Sequence, residues 1–133
     1  MLKFTLLDKW SPQIHGLLRI MVGFMFLCHG SAKLLGMPHV EGLSGVPLMS
    51  LMGLAGVLEL VGGGLVCIGL FTKPAAFILS GEMAVAYFMA HFPSGWLPLL
   101  NHGEAAAFYS FLFLFFAAAG GGAFQLESLL RKR

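Results

Sequence analysis

This sequence predicts an all-α integral membrane protein, a single antiparallel four-helix bundle spanning residues 1–133. Three observations predict it. Hydrophobic residues make up 58% of the 133 residues and charged residues only 11%, where an ordinary soluble domain carries ~25% charged. Four segments stay apolar over the ~20 residues that a membrane helix needs. The connectors between them are short and rich in turn residues, which makes neighbouring helices run in opposite directions.

The first span is expected at about 14–35. A cleaved secretory signal is the competing reading for this segment. Arg19 interrupts its apolar run, no small-x-small site follows, and Leu27 before Cys28 is not the small residue of a lipoprotein signal, so the helix is expected to be retained. Gly36, Pro38, Gly42, Gly45 and Pro47 then form a turn-rich loop. The second span, about 48–71, has Glu59 as its one charge. Thr72-Lys73-Pro74 is a very short turn, with Pro74 suited to the first position of the next helix. The third span covers about 75–92 and the connector 93–98 follows, with Trp96 fitting the interfacial belt. The fourth runs over about 103–120 and ends at Gly120-Gly121-Gly122. Leu126 to Arg133 is expected to be a short basic tail.

Eight Lys and Arg against six Asp and Glu give a net charge of +2, too small for a polyanionic partner, and nucleic acid is excluded. Cys28 and Cys67 are too far apart for a Cys-x-x-Cys pair. They differ in depth by about 15 Å, where a disulfide needs Cα atoms within ~7 Å, so two free thiols are expected. With four spans, both termini share a side. That side carries Lys3, Lys9, Lys73, Arg131, Lys132 and Arg133, and the other only Lys33, so the positive-inside rule places both termini in the cytoplasm. The connectors holding His39 and Trp96 then face outward.

Ionisable groups at membrane depth are costly and each needs a reason. With ~1.5 Å of rise per residue, Arg19 lies ~8 Å and Glu82 ~11 Å from the cytoplasmic end. These two are expected to form a structural ion pair. An outer layer follows on the same estimate, with Glu59 at ~18 Å, His29 at ~22 Å, Glu104 and His91 at ~24 Å and Lys33 at ~28 Å. At 100° per residue Arg19, Gly23, Phe26, Gly30 and Lys33 share one stripe, so the first span turns a seam of polar and small residues inward. Glu59 shares a stripe with Met52, Ala55, Gly63 and Val66. The spans hold two positive charges and three carboxyls (Glu59, Glu82, Glu104), so one carboxyl must take up a proton, a histidine cation or an external cation. A carboxyl near a histidine is suited to proton handling. The candidate ligand-binding set is His29, Lys33, Glu59, His91, Asn101 and Glu104, with Glu59, His29 and Glu104 as candidates for chemistry. His91, His102 and Glu104 are a minor alternative as zinc or copper ligands, and no metal is assigned.

These residues fall in a pattern that resembles the DoxX family of small four-helix membrane proteins. The matching text is Leu18-Arg19-Ile20 with Gly23, His29-Gly30-x-x-Lys33-Leu34, Glu59-Leu60-Val61-Gly62-Gly63 and Gly69-Leu70-Phe71-Thr72-Lys73-Pro74-Ala75. It continues with Gly81-Glu82-Met83-Ala84-Val85-Ala86-Tyr87, His91-Phe92-Pro93 and Asn101-His102-Gly103-Glu104, over about 18–122. The resemblance implies a bacterial inner-membrane location. It also implies a link to quinone-dependent sulfur oxidation or to thiol-redox complexes, by analogy with some relatives.

The leading functional expectation is a quinone-associated redox subunit with a buried proton-handling cluster. An apolar cleft with a few convergent polar groups suits a quinone headgroup. No haem, flavin or iron–sulfur motif is present, so electrons would come from a partner redox protein or a small substrate. The alternatives are a non-enzymatic scaffold or assembly partner, whose buried ions only specify the fold, and a protein that binds or passes a small ligand or protons. Passage would need a homo-oligomer, because four short helices rarely enclose a wide path.

Overall fold

The computed structural model describes residues 5–133, and Lys3 lies outside the described residues. Among these residues all regular structure is helical. A short turn α1 (Thr5–Asp8) leads into α2 (Ser11–Leu35), followed by α3 (Leu51–Ile68) and α4 (Thr72–Ala86). α4 continues without a break through a π-helical turn, Tyr87–His91, and a 3-10 turn, Phe92–Ser94. α5 (Pro98–Asn101), α6 (Glu104–Ala119) and α7 (Leu126–Leu130) complete the chain.

Local chemistry explains most of the ends. Ser50 caps α3 by accepting from the Gly53 N–H at 3.0 Å. α2 and α3 stop at Gly36 and Gly69, both in the left-handed region that glycine enters without steric cost. α4 begins at Thr72, three residues before the expected start. Pro74 is therefore its third residue rather than its first, still within the turn whose N–H groups have no intrahelical acceptor. The expected basic tail is partly helical, and the Glu127 N–H donates to the Gly69 carbonyl at 3.1 Å.

Three helical stretches are long and apolar enough to cross a membrane: Ser11–Leu35, Leu51–Ile68 and Thr72–Ser94. α6 is apolar but has 16 residues, a length of ~24 Å against a hydrocarbon core of ~30 Å. Large apolar side chains such as Leu54, Phe77, Phe111 and Leu114 point outward, as a lipid-facing surface requires.

α2 packs along α3, and α4 packs along α6 and α3. Contacts between α2 and α3 run in opposite order along the two helices, Gly23 against Gly63 and Cys67, then Gly30 against Gly56 and Leu60. At Gly30 and Gly63 the partner backbone occupies the space of a side chain. A Cβ on Gly63 would lie 2.6 Å from the Leu27 nitrogen, so only glycine permits this approach. The core joins Val22 and Phe26 to Val66, Ala76, Leu79, Phe113 and Phe116. Phe26 meets Phe113 edge to face at 4.6 Å. α4 and α6 exchange two hydrogen bonds: Ser80 Oγ donates to the Ser110 carbonyl at 2.7 Å and Ser110 Oγ to the Ser80 carbonyl at 3.0 Å.

Candidate functional site

The expected inward stripe of α2 is buried throughout: Arg19, Gly23, Phe26, Gly30 and Lys33 all face the interior. On α3 the buried stripe is Gly53, Gly56, Glu59, Gly63 and Val66; Met52, expected on it, is exposed. The two stripes face each other and bring Lys33 to Glu59. Lys33 Nζ donates to Glu59 Oε1 at 2.8 Å, with only 8% and 4% of the two side chains exposed. Burial at this level makes the pair strongly interdependent, because a lone ion of either sign would be left in a low-dielectric surround.

A third ionisable side chain completes the group. Glu82 of α4 lies beside Glu59 and near Lys33. Among the described residues neither of its oxygens has a hydrogen-bond partner, and Glu59 Oε2 has none either, although all three are buried. One ammonium therefore faces two carboxyls, with three acceptor atoms left open. Lys33, Glu59 and Glu82 all line a groove of about 590 Å³ between α3 and α4. Small residues make room for it: Ala55 on α3, Gly81 and Ala86 on α4 and Ala90 beyond. A Cβ added at Gly81 would meet nothing within 4 Å. Leu51, Leu54, Ile78, Val85 and Met89 line the rest and are themselves exposed on the outer face, so the groove opens sideways.

The expected Arg19–Glu82 ion pair does not form. Arg19 is fully buried and uses all five of its N–H donors on backbone carbonyls. Nε donates to Gly121 at 2.8 Å, Nη1 to Val66 and Cys67, each at 2.7 Å, and Nη2 to Ala123 at 3.0 Å and Phe124 at 2.9 Å. It thereby closes the C-terminal end of α3, where free carbonyls attract a cation, onto the loop after α6. Glu82 stands ~15 Å above the start of its own helix by helical rise, beyond reach of that end. α2 and α4 both begin three residues earlier than expected, so the two depths shift together; the pair is lost because backbone carbonyls at the end of α3 and after α6 take up every donor of the guanidinium.

The remaining sequence candidates separate. His29 and Glu104 are exposed and do not join the Lys33–Glu59–Glu82 group. His91 Nδ1 is 3.1 Å from the Asn101 carbonyl. Asn101 itself is buried and fully engaged: Nδ2 donates to Tyr87 Oη at 3.1 Å and to the Gly95 carbonyl at 2.8 Å, and Oδ1 accepts from the Gly103 N–H at 2.8 Å. Asn101 thus holds the π turn, whose Met89 and Ala90 form the rim of the groove. Among the described residues no three His, Cys, Asp or Glu side chains converge as a metal would require, so His91, His102 and Glu104 do not form a metal-binding cluster. Cys28 and Cys67 are both free.

Sequence reasoning placed Lys33 and Glu59 in one layer but missed Glu82 as their neighbour. The signal was available: Glu59 and Glu82 lie at nearly equal distances on either side of the tight connection Gly69–Phe71, so an antiparallel helix pair brings them level.

A model of the DoxX family matches residues 15–92, a range that contains Lys33, Glu59, Glu82 and His91. Asn101 and Glu104 lie beyond it. The chain is also similar to a Haemophilus influenzae protein described as uncharacterized, with 44% identity over 131 residues covering 96% of this chain and 98% of that protein. No solved structure matches the chain.

Proposed function

The chain belongs to the DoxX family, and on that premise we propose that it is a quinone-associated redox protein of the bacterial inner membrane. In this reading it is an antiparallel four-helix bundle, with α6 as the fourth span and both termini in the cytoplasm. The groove between α3 and α4 receives the quinone. The single observation that carries this reading is the buried Lys33–Glu59 pair with Glu82 beside it, at the wall of an apolar groove open to the lipid-facing surface.

The chemistry follows from the residues. A quinone reaches its site from within the bilayer, so a sideways-opening apolar groove suits its ring and tail. Its carbonyl needs hydrogen-bond donors. Lys33 has two N–H groups beyond the one given to Glu59. A proton taken up between Glu59 and Glu82 balances the second carboxyl and supplies another donor. Conversion of a quinone to the quinol consumes two electrons and two protons. Glu59, Glu82 and Lys33 supply the proton path, and a partner redox protein supplies the electrons.

The test is binding of a short-tailed ubiquinone analogue to the purified chain in detergent, read as a shift in thermal stability. Saturable stabilisation by the analogue, lost in Glu59→Gln and weakened in Glu82→Gln, is the expected result. If the analogue has no effect on the parent chain, the quinone reading fails. If the variants lose stability but bind as the parent does, the buried charges serve the fold alone, as in a scaffold.

A further inference from the structure

A second cavity, of about 710 Å³, lies at the opposite end of α4 from the π turn. It is bounded by the start of α2 at Pro12, the first residues of α4, the glycines 120–122 and the last turn of the chain. From this cavity we infer a binding site for a phosphate group, and specifically for the headgroup of an anionic phospholipid.

Four observations support it. The cavity contains the N-terminus of α4, a helix of 15 residues whose N-cap, Phe71, offers no side-chain acceptor. Pro74 has no N–H and the Ala75 N–H donates to the Phe71 carbonyl at 3.1 Å, so the N–H groups of Thr72 and Lys73, with the helix dipole, are what favours an anion. Thr72 lines the same cavity, is only 2% exposed, and its Oγ1 has no hydrogen-bond partner among the described residues. A buried hydroxyl without a partner at a helix N-terminus is a donor waiting for an acceptor. Lys73 also lines the cavity, and among the described residues no carboxylate is paired with it. Arg131 reaches in from the chain end with Glu127, which accepts one of its N–H groups at 2.7 Å and leaves the rest of the guanidinium open. The local balance of Lys73, Arg131 and Glu127 is one net positive charge.

The surroundings favour a lipid over a free anion. The cavity sits at the end of the bundle where α2 and α4 begin and where the chain's cations gather. Phe71 at its edge and Phe77, one turn up α4 from Lys73, are both strongly exposed. They offer an apolar track for an acyl chain whose phosphate is held at the helix end. A basic pocket between helices at a membrane face is a general means of holding anionic headgroups.

Native mass spectrometry of the full chain released from detergent, with defined phospholipid added, tests the site. Phosphatidylglycerol should be retained in a one-to-one adduct and phosphatidylcholine should not. Lys73→Gln should weaken retention by about fivefold, the worth of one cation near the membrane surface. Thr72→Val, which keeps the shape and removes the donor, should weaken it as well. Neither change touches the α3–α4 groove, so quinone binding should be unaltered in both variants. If inorganic phosphate competes as well as the lipid, the phosphate site stands and its occupant is a soluble anion. If both lipids are retained equally, or if both variants retain phosphatidylglycerol like the parent, the proposal is overturned.

Discussion

Glu59 and Glu82 stand side by side because each is about ten residues from the tight connection between α3 and α4, with Lys33 reaching across from α2 to bind only the first of them. This triad places one more carboxyl than ammonium at the wall of an apolar groove. Its energetics follow from that imbalance.

Lys33→Met removes the one cation and leaves two buried carboxyls facing each other. A loss of ~3–5 kcal/mol is expected, typical of breaking a buried pair from one side. Glu59→Gln should cost less, because Lys33 can turn to Glu82. Thermal or denaturant unfolding in detergent of the two single variants and the double variant gives the coupling energy. Coupling near zero would contradict the pairing.

Arg19→Lys should be strongly destabilising, because an ammonium cannot reproduce a planar fork serving five carbonyls. Glu82→Gln should act independently of it, with the double variant additive within ~0.5 kcal/mol. A larger coupling would restore the ion pair that the structure denies.

Gly81→Leu should fill the groove while leaving the fold intact, because nothing lies within 4 Å of a Cβ there and Gly81 lines the groove. Stability should stay level or rise, since glycine costs ~1 kcal/mol in a helix interior relative to good helix formers. Binding of the quinone analogue should be lost. Gly30→Leu should do the reverse and unfold the α2–α3 contact, so the pair separates groove effects from packing effects in one stability-and-binding assay.

Asn101→Ala should release Tyr87, Gly95 and the Gly103 N–H together. A cost of ~1–3 kcal/mol is expected for each buried polar group left unsatisfied. Amide exchange should quicken over Tyr87–His91 before it does in α3. Unchanged protection there would mean that the π turn does not depend on this side chain.

Much of this was legible in the chain. The inward seam of α2 could be read from Arg19, Gly23, Phe26, Gly30 and Lys33, because their spacing repeats with the helix and apolar solvent leaves such residues nowhere else to go. Glu59 stood out for the same reason. His29 misled because one residue from Gly30 is a large angular step, enough to turn the side chain outward. Arg19 misled because a cation near an acid suggests a pair, while the competing acceptors, backbone carbonyls at a helix end, carry no mark in the sequence.

Composition by itself determined that this chain is helical and membrane-capable, because an apolar solvent demands that each backbone segment satisfy its own hydrogen bonds. Only the tertiary structure decided which charges meet. That choice depends on the register of α4 against α3, how closely glycine lets α2 approach α3, and which carbonyls the loop after α6 presents to Arg19. These are distances between segments far apart in sequence, set by packing rather than by local pattern.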